Sequence, residues 1–246
     1  MKKILGFLLT NPITYSIGAI INYVFYGVVF GVSMVPSAYL VYFVSQKIDL
    51  NNILGILLLC LTIGVSIYLF FIVALFVFGI VERILVIGFK PGRYKTSSFT
   101  FIRWLTYSGL HILLLNTVLP FMAGSVFSRI FYRILGAKIG KNVFINTKGL
   151  HDAYLLEIGD NVVIGGETNI SCHIFEGNEL ILGKIKIGNN TLIGTDCYIM
   201  PDVTIGSNCS IGLYSYVRKK RVIEDKSMIM AIPGIPAKKV AELIRD

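Results

Sequence analysis

Charge is scarce in this sequence. Of its 246 residues only 15% are charged, and from Ile4 to Gln46 there is no Asp, Glu, Lys, Arg or His. A second run, Ile53 to Val81, is equally bare. Acidic residues are scarcer still in the first half, where residues 1–135 hold ten Lys/Arg against two Asp/Glu, while residues 136–246 hold thirteen against twelve. The net charge of +9 is thus a property of the N-terminal half. There the basic residues flank apolar runs instead of forming a stripe on a polar surface, which argues against nucleic acid as a partner. The four cysteines, Cys60, Cys172, Cys197 and Cys209, show no CxxC or CxH spacing, so they read as buried reduced thiols and no metal is expected. Histidine occurs three times, and only His151 and His173 fall in the second half, too few for a three-histidine zinc site.

What is present is apolar. A hydrophobic fraction of 54% and a mean hydropathy of +0.72 exceed ordinary soluble composition, so part of the chain is expected to lie in lipid. Asn11 and Pro12 predict a helix from near Ile13 to about Ser45, and a rise of about 1.5 Å per residue carries it across a hydrocarbon core of about 30 Å. A polar turn from Gln46 to Asn52 leads into a second such helix, making a transmembrane hairpin. Lys2 and Lys3 at one end and Arg83, Lys90, Arg93 and Lys95 at the other, against Lys47 in the turn, predict that both ends face the cytoplasm. The stretch Trp104 to Ser128 is apolar apart from His111 and Asn116, but Gly109, Pro120 and Gly124 interrupt it and Arg103, Arg129 and Arg133 flank it. It reads as helices lying in the cytoplasmic interface or as a re-entrant bend in preference to a third crossing. Trp104 and Tyr107 suit that interface. Phe127, Ile130, Phe131, Ile134 and Leu135 form one face of an amphipathic helix whose other face holds Arg129 and Arg133.

The strongest pattern comes later. An aliphatic residue recurs every sixth position at Ile187, Ile193, Ile199, Ile205, Ile211, Val217, Ile223 and Ile229. No helix or flat strand has that period; it is the hexapeptide signature of a parallel β-helix, in which each hexad forms one side of a triangular coil of eighteen residues. Ile139 and Ile145 begin the series, and Ile158, Ile164 and Ile170 continue it. The rhythm breaks around His151 and around His173, where Ile170 to Ile187 spans seventeen residues. About five coils fit between Ile139 and Ile229, and residues 237–246 read as a C-terminal helix.

Residues 136–240 resemble the hexapeptide-repeat acyltransferases. The likeness rests on the repeats, on LEIGDNVVIGG from Leu156 to Gly166, and on GIPAKKV from Gly234 to Val240. A narrower likeness adds PGRY from Pro91 to Tyr94, Arg103-Trp104, LGAKIG from Leu135 to Gly140, and H-x-F-E from His173 to Glu176. Together these resemble the membrane-associated C-terminal region of peptide synthetases of the polylysine-synthetase type. The resemblance implies a left-handed parallel β-helix, a homotrimer, and acetyl-CoA or another acyl thioester as donor.

Acyl transfer needs a base for the acceptor proton, a donor for the developing oxyanion and a groove for the thioester. His173 lies in a break between coils, where the resemblance implies a general base on a projecting loop, and its ordinary pKa suits proton abstraction near neutrality. Glu176 or Glu167 is placed to orient its imidazole. His151 and Asp152, in the other break, are candidates for contacting the acceptor. The resemblance further implies that the thioester runs along the coils past Gly194 and Gly212, with Lys219 or Arg221 and Lys238 available to its phosphates.

The expected architecture is a membrane domain over residues 1–98 with two transmembrane helices, interfacial helices over 99–135, a left-handed β-helix acyltransferase domain over 136–236 and a helix over 237–246. The expected protein sits in the cell membrane with its β-helix in the cytoplasm. It acetylates a hydroxyl or amine of a membrane-associated acceptor such as a lipid-linked sugar or envelope precursor. Two alternatives stay open: amide bond formation from a carrier-bound aminoacyl thioester, and a non-catalytic trimeric membrane scaffold.

Overall fold

The computed structural model describes residues 12–230. Lys238 and the helix expected over 237–246 lie outside the described residues. Two long antiparallel helices come first, α1 (Pro12–Ser45) and α2 (Ile53–Leu85). Asn52 starts α2 by accepting the Gly55 N–H at 2.8 Å, which replaces a bond that the first turn cannot make for itself. Among the described residues these are the two helices long and apolar enough to cross a membrane. Their outer faces are exposed along most of their length, from Ile20, Ile21 and Tyr23 on α1 to Ile53, Leu57 and Leu61 on α2.

The next apolar stretch is broken near Pro120 and at Gly124, whereas Gly109 lies inside an unbroken helix. Helix α3 spans Phe99–Thr117, the short α4 spans Leu119–Met122 and α5 spans Val126–Leu135. Pro120 lies in the first turn of α4, and Gly124 takes a left-handed conformation (φ 75°) that lets the chain reverse before Ser125 caps α5. Helices α3 and α5 each turn one face inward, while Phe99, Ile112 and Val126 stay exposed. Trp104, Tyr107, Leu110, His111 and Leu114 of α3, and Phe131, Tyr132 and Leu135 of α5, are buried in one continuous core with α2 and the first coil. The basic residues of α5 have a structural task. Arg129 donates to the Val143 carbonyl at 2.9 Å, and Arg133 to the carbonyls of Ile139 and Gly140 at 2.9 and 2.8 Å. The helix thus closes the open end of the solenoid, whose first coil would otherwise show unpaired carbonyls.

From Lys138 to Ile229 the chain winds as a three-sided parallel solenoid. The first side stacks Lys138–Ile139, Leu156–Ile158, Ile185–Ile187, Thr204–Ile205 and Val222–Ile223. The second side likewise has five strands and the third side four. Ile187 stands beside Ile205 and Ile205 beside Ile223, so the register returns every eighteen residues, as the hexads require. The inward aliphatic residues are buried from Ile145 to Ile223. One corner is closed by a ladder of amides, Asn142 to Asn161 to Asn190 to Asn208, at 3.1, 3.0 and 3.3 Å. All four asparagines have positive φ, a conformation that their short polar side chains tolerate.

The break around His173 is an excursion from the coil. Ile158 pairs with Ile187, twenty-nine residues on, so eleven residues beyond a coil of eighteen have been inserted. They form a hairpin, His173–Glu176 against Glu179–Leu182. Its second strand, Glu179–Leu182, also pairs antiparallel with Gly92–Lys95, the segment between α2 and α3, and so lies at the centre of the sheet. This three-stranded sheet ties the helical half to the solenoid and sets the position of His173.

Candidate active site

The two breaks in the repeat meet at one point. Leu150–His151 lies on the third side with His151 opposite Ser171, and the chain then leaves that side through Asp152, held at φ 53°, into a short turn at Ala153–Leu155. His173 begins the hairpin one coil later. Its Nδ1 makes a short hydrogen bond with Asp152 Oδ2. The other carboxylate oxygen, Oδ1, accepts from the Trp104 indole N–H at 2.8 Å and from the Tyr154 hydroxyl at 3.1 Å. Asp152 is buried, with a relative exposure of 1%. Burial alone would push its carboxyl upward, yet the contacts with His173, Trp104 and Tyr154 outweigh it and hold the group below the usual carboxylate range. An ionised carboxylate only accepts, so His173 keeps its proton on Nδ1 and leaves the Nε2 lone pair free. Roughly a quarter of the His173 side chain remains exposed.

An aromatic shell surrounds the pair. Trp104 lies 4.9 Å from the His173 ring and Phe175 lies 5.5 Å from Trp104, both edge to face. His151 faces His173 at 6.1 Å. Burial first, then the neighbouring imidazoles of His111 and His173, push the His151 pKa down to about 4, so it is neutral near pH 7. Behind this group His111 bonds the Glu82 carboxylate through Nδ1 at 2.9 Å and the Leu150 carbonyl through Nε2 at 3.1 Å.

The structure therefore brings together His173, Asp152 and His151. Glu176, expected beside the imidazole, sits at the far end of the hairpin strand and pairs with Arg93 and with Lys219. Side chains three apart on a strand leave on opposite faces, so a residue at that spacing does not reach His173. Glu167 occupies a corner of the coil with φ 53°. Gly194 and Gly212 lie at corners of the second side, donating to the carbonyls of Ile211 and Ile229 at 2.7 and 2.6 Å. A Cβ on Gly194 would stand 2.7 Å from the Leu213 nitrogen, so the close approach there is to the next coil. Lys219 lines a cleft of about 310 Å³ between the hairpin and the later coils, with Arg93, Lys220, Asp202 and Glu176. Trp104 and Tyr107, read from sequence as interface residues, are 4% and 1% exposed and belong to the site's surroundings.

Residues 184–219, within the solenoid, match the bacterial transferase hexapeptide (six repeats) family. The chain is 26% identical over 152 residues to a delta-poly-L-ornithine synthetase of Acinetobacter baumannii (strain AB307-0294), covering 59% of this chain and 11% of that protein. It is 33% identical over 113 residues to the galactoside O-acetyltransferase of Escherichia coli (strain K12), covering 43% of this chain and 53% of that one. The chain thus spans a tenth to about half of the length of these relatives. Among solved structures it is similar to a hexapeptide-repeat acetyltransferase of Vibrio cholerae O1 biovar eltor complexed with acetyl coenzyme A, at 18% identity and a TM-score of 0.40, covering 55% of this chain and 87% of that one.

Proposed function

We propose that this chain, whose solenoid is a hexapeptide-transferase domain, moves an acetyl group from acetyl-CoA to a hydroxyl or amine of an acceptor held at a membrane surface. The observation that carries the reading is the bond between His173 Nδ1 and buried Asp152, which leaves Nε2 of this partly exposed side chain as the base. In the reaction Nε2 takes the acceptor's O–H or N–H proton as that atom attacks the thioester carbonyl. The C–S bond then breaks, and the departing thiolate takes up a proton. Gly194, Gly212 and Lys219, with Lys238 beyond the described residues, are proposed to border the thioester. Arg93 and Lys220 share the cleft of Lys219 and add positive charge for its phosphates. His151, neutral and next to His173, is proposed to meet the acceptor. The acceptor is proposed to be a lipid-linked sugar or envelope precursor, because Trp104 and Tyr154, which bond Asp152, pack in one core with two helices whose outer faces are apolar and exposed. These helices are proposed to form a hairpin through the cell membrane, with the solenoid on the cytoplasmic side.

Full-length protein in nanodiscs, given radiolabelled acetyl-CoA and a membrane lipid extract, is expected to label the lipid fraction. His173→Ala is expected to lower that transfer by about 10²- to 10⁴-fold. No transfer by wild type, or equal transfer by the variant, rejects the reading. A second reading, amide bond formation from a carrier-bound aminoacyl thioester, is favoured by one observation: the alignment with the poly-ornithine synthetase covers 152 residues, more than the solenoid supplies. Transfer from a carrier protein but not from CoA would select it.

The outer faces of the solenoid support a homotrimer. Outward positions of the first side are Lys138, Glu157, Lys186, Thr204 and the apolar Val222, whereas those of the second side are Phe144, Val163, Leu192, Ser210 and Met228, apolar but for Ser210. A row that is apolar at four of its five positions is the proposed face of a subunit contact. Leu192→Lys is therefore expected to convert the trimer to monomers in analytical ultracentrifugation; an unchanged mass would place the contact elsewhere.

A further inference from the structure

We propose that Trp104 is a positioning residue for the catalytic pair: its indole N–H holds Asp152 Oδ1 so that Oδ2 stays on His173 Nδ1, and helix α3 thereby completes a site that the solenoid alone does not build. The proposal deepens the acyl-transfer reading and takes its catalytic meaning from it.

Three observations carry it. First, a buried carboxylate is costly unless both oxygens are bonded, and Asp152 Oδ1 has two donors, Trp104 at 2.8 Å and Tyr154 at 3.1 Å. Tyr154 lies two residues along the same turn, so it moves with Asp152. Trp104 comes from another element and supplies an independent anchor. Second, the same indole packs its ring against the imidazole at 4.9 Å, so one side chain fixes both members of the pair. Third, α3 is itself fixed. Ser98 caps its start, Arg103 bonds the carbonyls of Leu85 and Ile87 at 2.7 and 2.9 Å, and His111 bonds the Leu150 carbonyl two residues before Asp152.

The charge state of His173 reports this arrangement. With one donor to Oδ1 removed, the carboxylate is left less well solvated by its surroundings and binds the imidazolium more strongly, so His173 is protonated at higher pH. The other titratable groups facing the pair are His151 from the third side, Tyr107 and His111 from α3, Tyr154 from the turn, Cys172 next to His173, and Glu82 from α2, which is paired with His111. Burial foremost holds the phenols of Tyr107 and Tyr154 and the thiol of Cys172 well above their ordinary ranges, so these remain neutral around pH 7.

The test uses the full chain in nanodiscs with ¹³C-labelled histidine, the His173 resonance being the one lost in His173→Gln. Trp104→Phe keeps an aromatic ring and removes the donor, and its His173 midpoint is expected to move up by about half a pH unit. Replacing Trp104 by benzothienylalanine, which substitutes sulfur for the N–H within the same ring shape, is expected to give the same shift without a packing change. Phe101→Leu, which alters the ring packing but no donor, is expected to leave the midpoint in place. An unmoved midpoint with benzothienylalanine overturns the proposal. The titration needs no substrate, so failure to detect acetyl transfer would count against the acyl-transfer reading alone.

Discussion

Asp152→Asn is expected to lower acetyl transfer by about 10²- to 10⁴-fold while leaving the melting temperature close to that of the parent protein. The substitution suits the site physically. Asparagine accepts the left-handed backbone found at position 152, its carbonyl oxygen can receive Trp104 and Tyr154, and its amide N–H is then turned towards His173 Nδ1. An amide can only donate through that nitrogen, so the imidazole must present a lone pair at Nδ1 and carry its proton on Nε2. The base is left in the tautomer that cannot take a proton from the acceptor, and the positive charge that develops on it loses its counter-ion. Asp152→Ala, in contrast, strands two buried donors and removes a side chain suited to positive φ, and is expected to lose both activity and stability. The decisive measurement is paired: transfer rate and melting temperature of Asp152→Asn in one preparation. Retention of more than a tenth of the parental rate would remove Asp152 from the proposed mechanism.

The second large effect lies one layer deeper. Glu82 and His111 are 0% and 2% exposed, and their side chains meet at 2.9 Å. With the second ring nitrogen on the Leu150 carbonyl, both nitrogens are bonded whether the shared proton sits on the imidazole or on the carboxyl. His111→Leu leaves Glu82 buried with no partner for Oε2, and Oε1 already has none among the described residues. Breaking a buried pair on one side costs about 3–5 kcal/mol, and for a chain of this size that is a fall in melting temperature of roughly 6–20 °C. Changing both residues, Glu82→Leu with His111→Leu, removes the orphaned charge and is expected to restore most of the loss. If the single variant melts with the parent protein, Glu82 reaches solvent or another partner and the pair does not organise this core.

How far this could be read from the residues follows from where each signal is stored. The hexads were legible because every sixth side chain points into the same axis: Ile187, Ile193 and Ile199 lie on three different sides yet share one buried column. The helix limits were nearly as plain, since caps and breakers are local; Asn52, Pro120 and Gly124 act within a few residues. The pairing of His173 with Asp152 is stored differently. The two residues stand twenty-one positions apart and meet only because a coil and an insertion bring both breaks to one side. Proximity along the chain favoured Glu176, although the alternation of a strand sends positions 173 and 176 to opposite faces. Trp104 illustrates a real degeneracy. An aromatic residue with an N–H, set between basic residues in an apolar stretch, has the same local pattern whether it anchors at a lipid headgroup or donates to a buried carboxylate. Arg129 and Arg133 carry a like ambiguity, and only the carbonyls of the first coil distinguish a capping role from a solvated face.

The strand Gly92–Lys95 pairs with Glu179–Leu182, a partner made roughly ninety residues later. At synthesis rates of 5–20 residues per second, that edge waits on the order of ten seconds with no strand beside it. When the wait begins the two long helices have already been made, and α3 follows early in it, whereas the hairpin that will lock them to His173 comes last. The order of manufacture thus separates the two halves of the site in time: the scaffold that holds Trp104 precedes the base it serves, and the site can assemble only when the ribosome has passed Leu182.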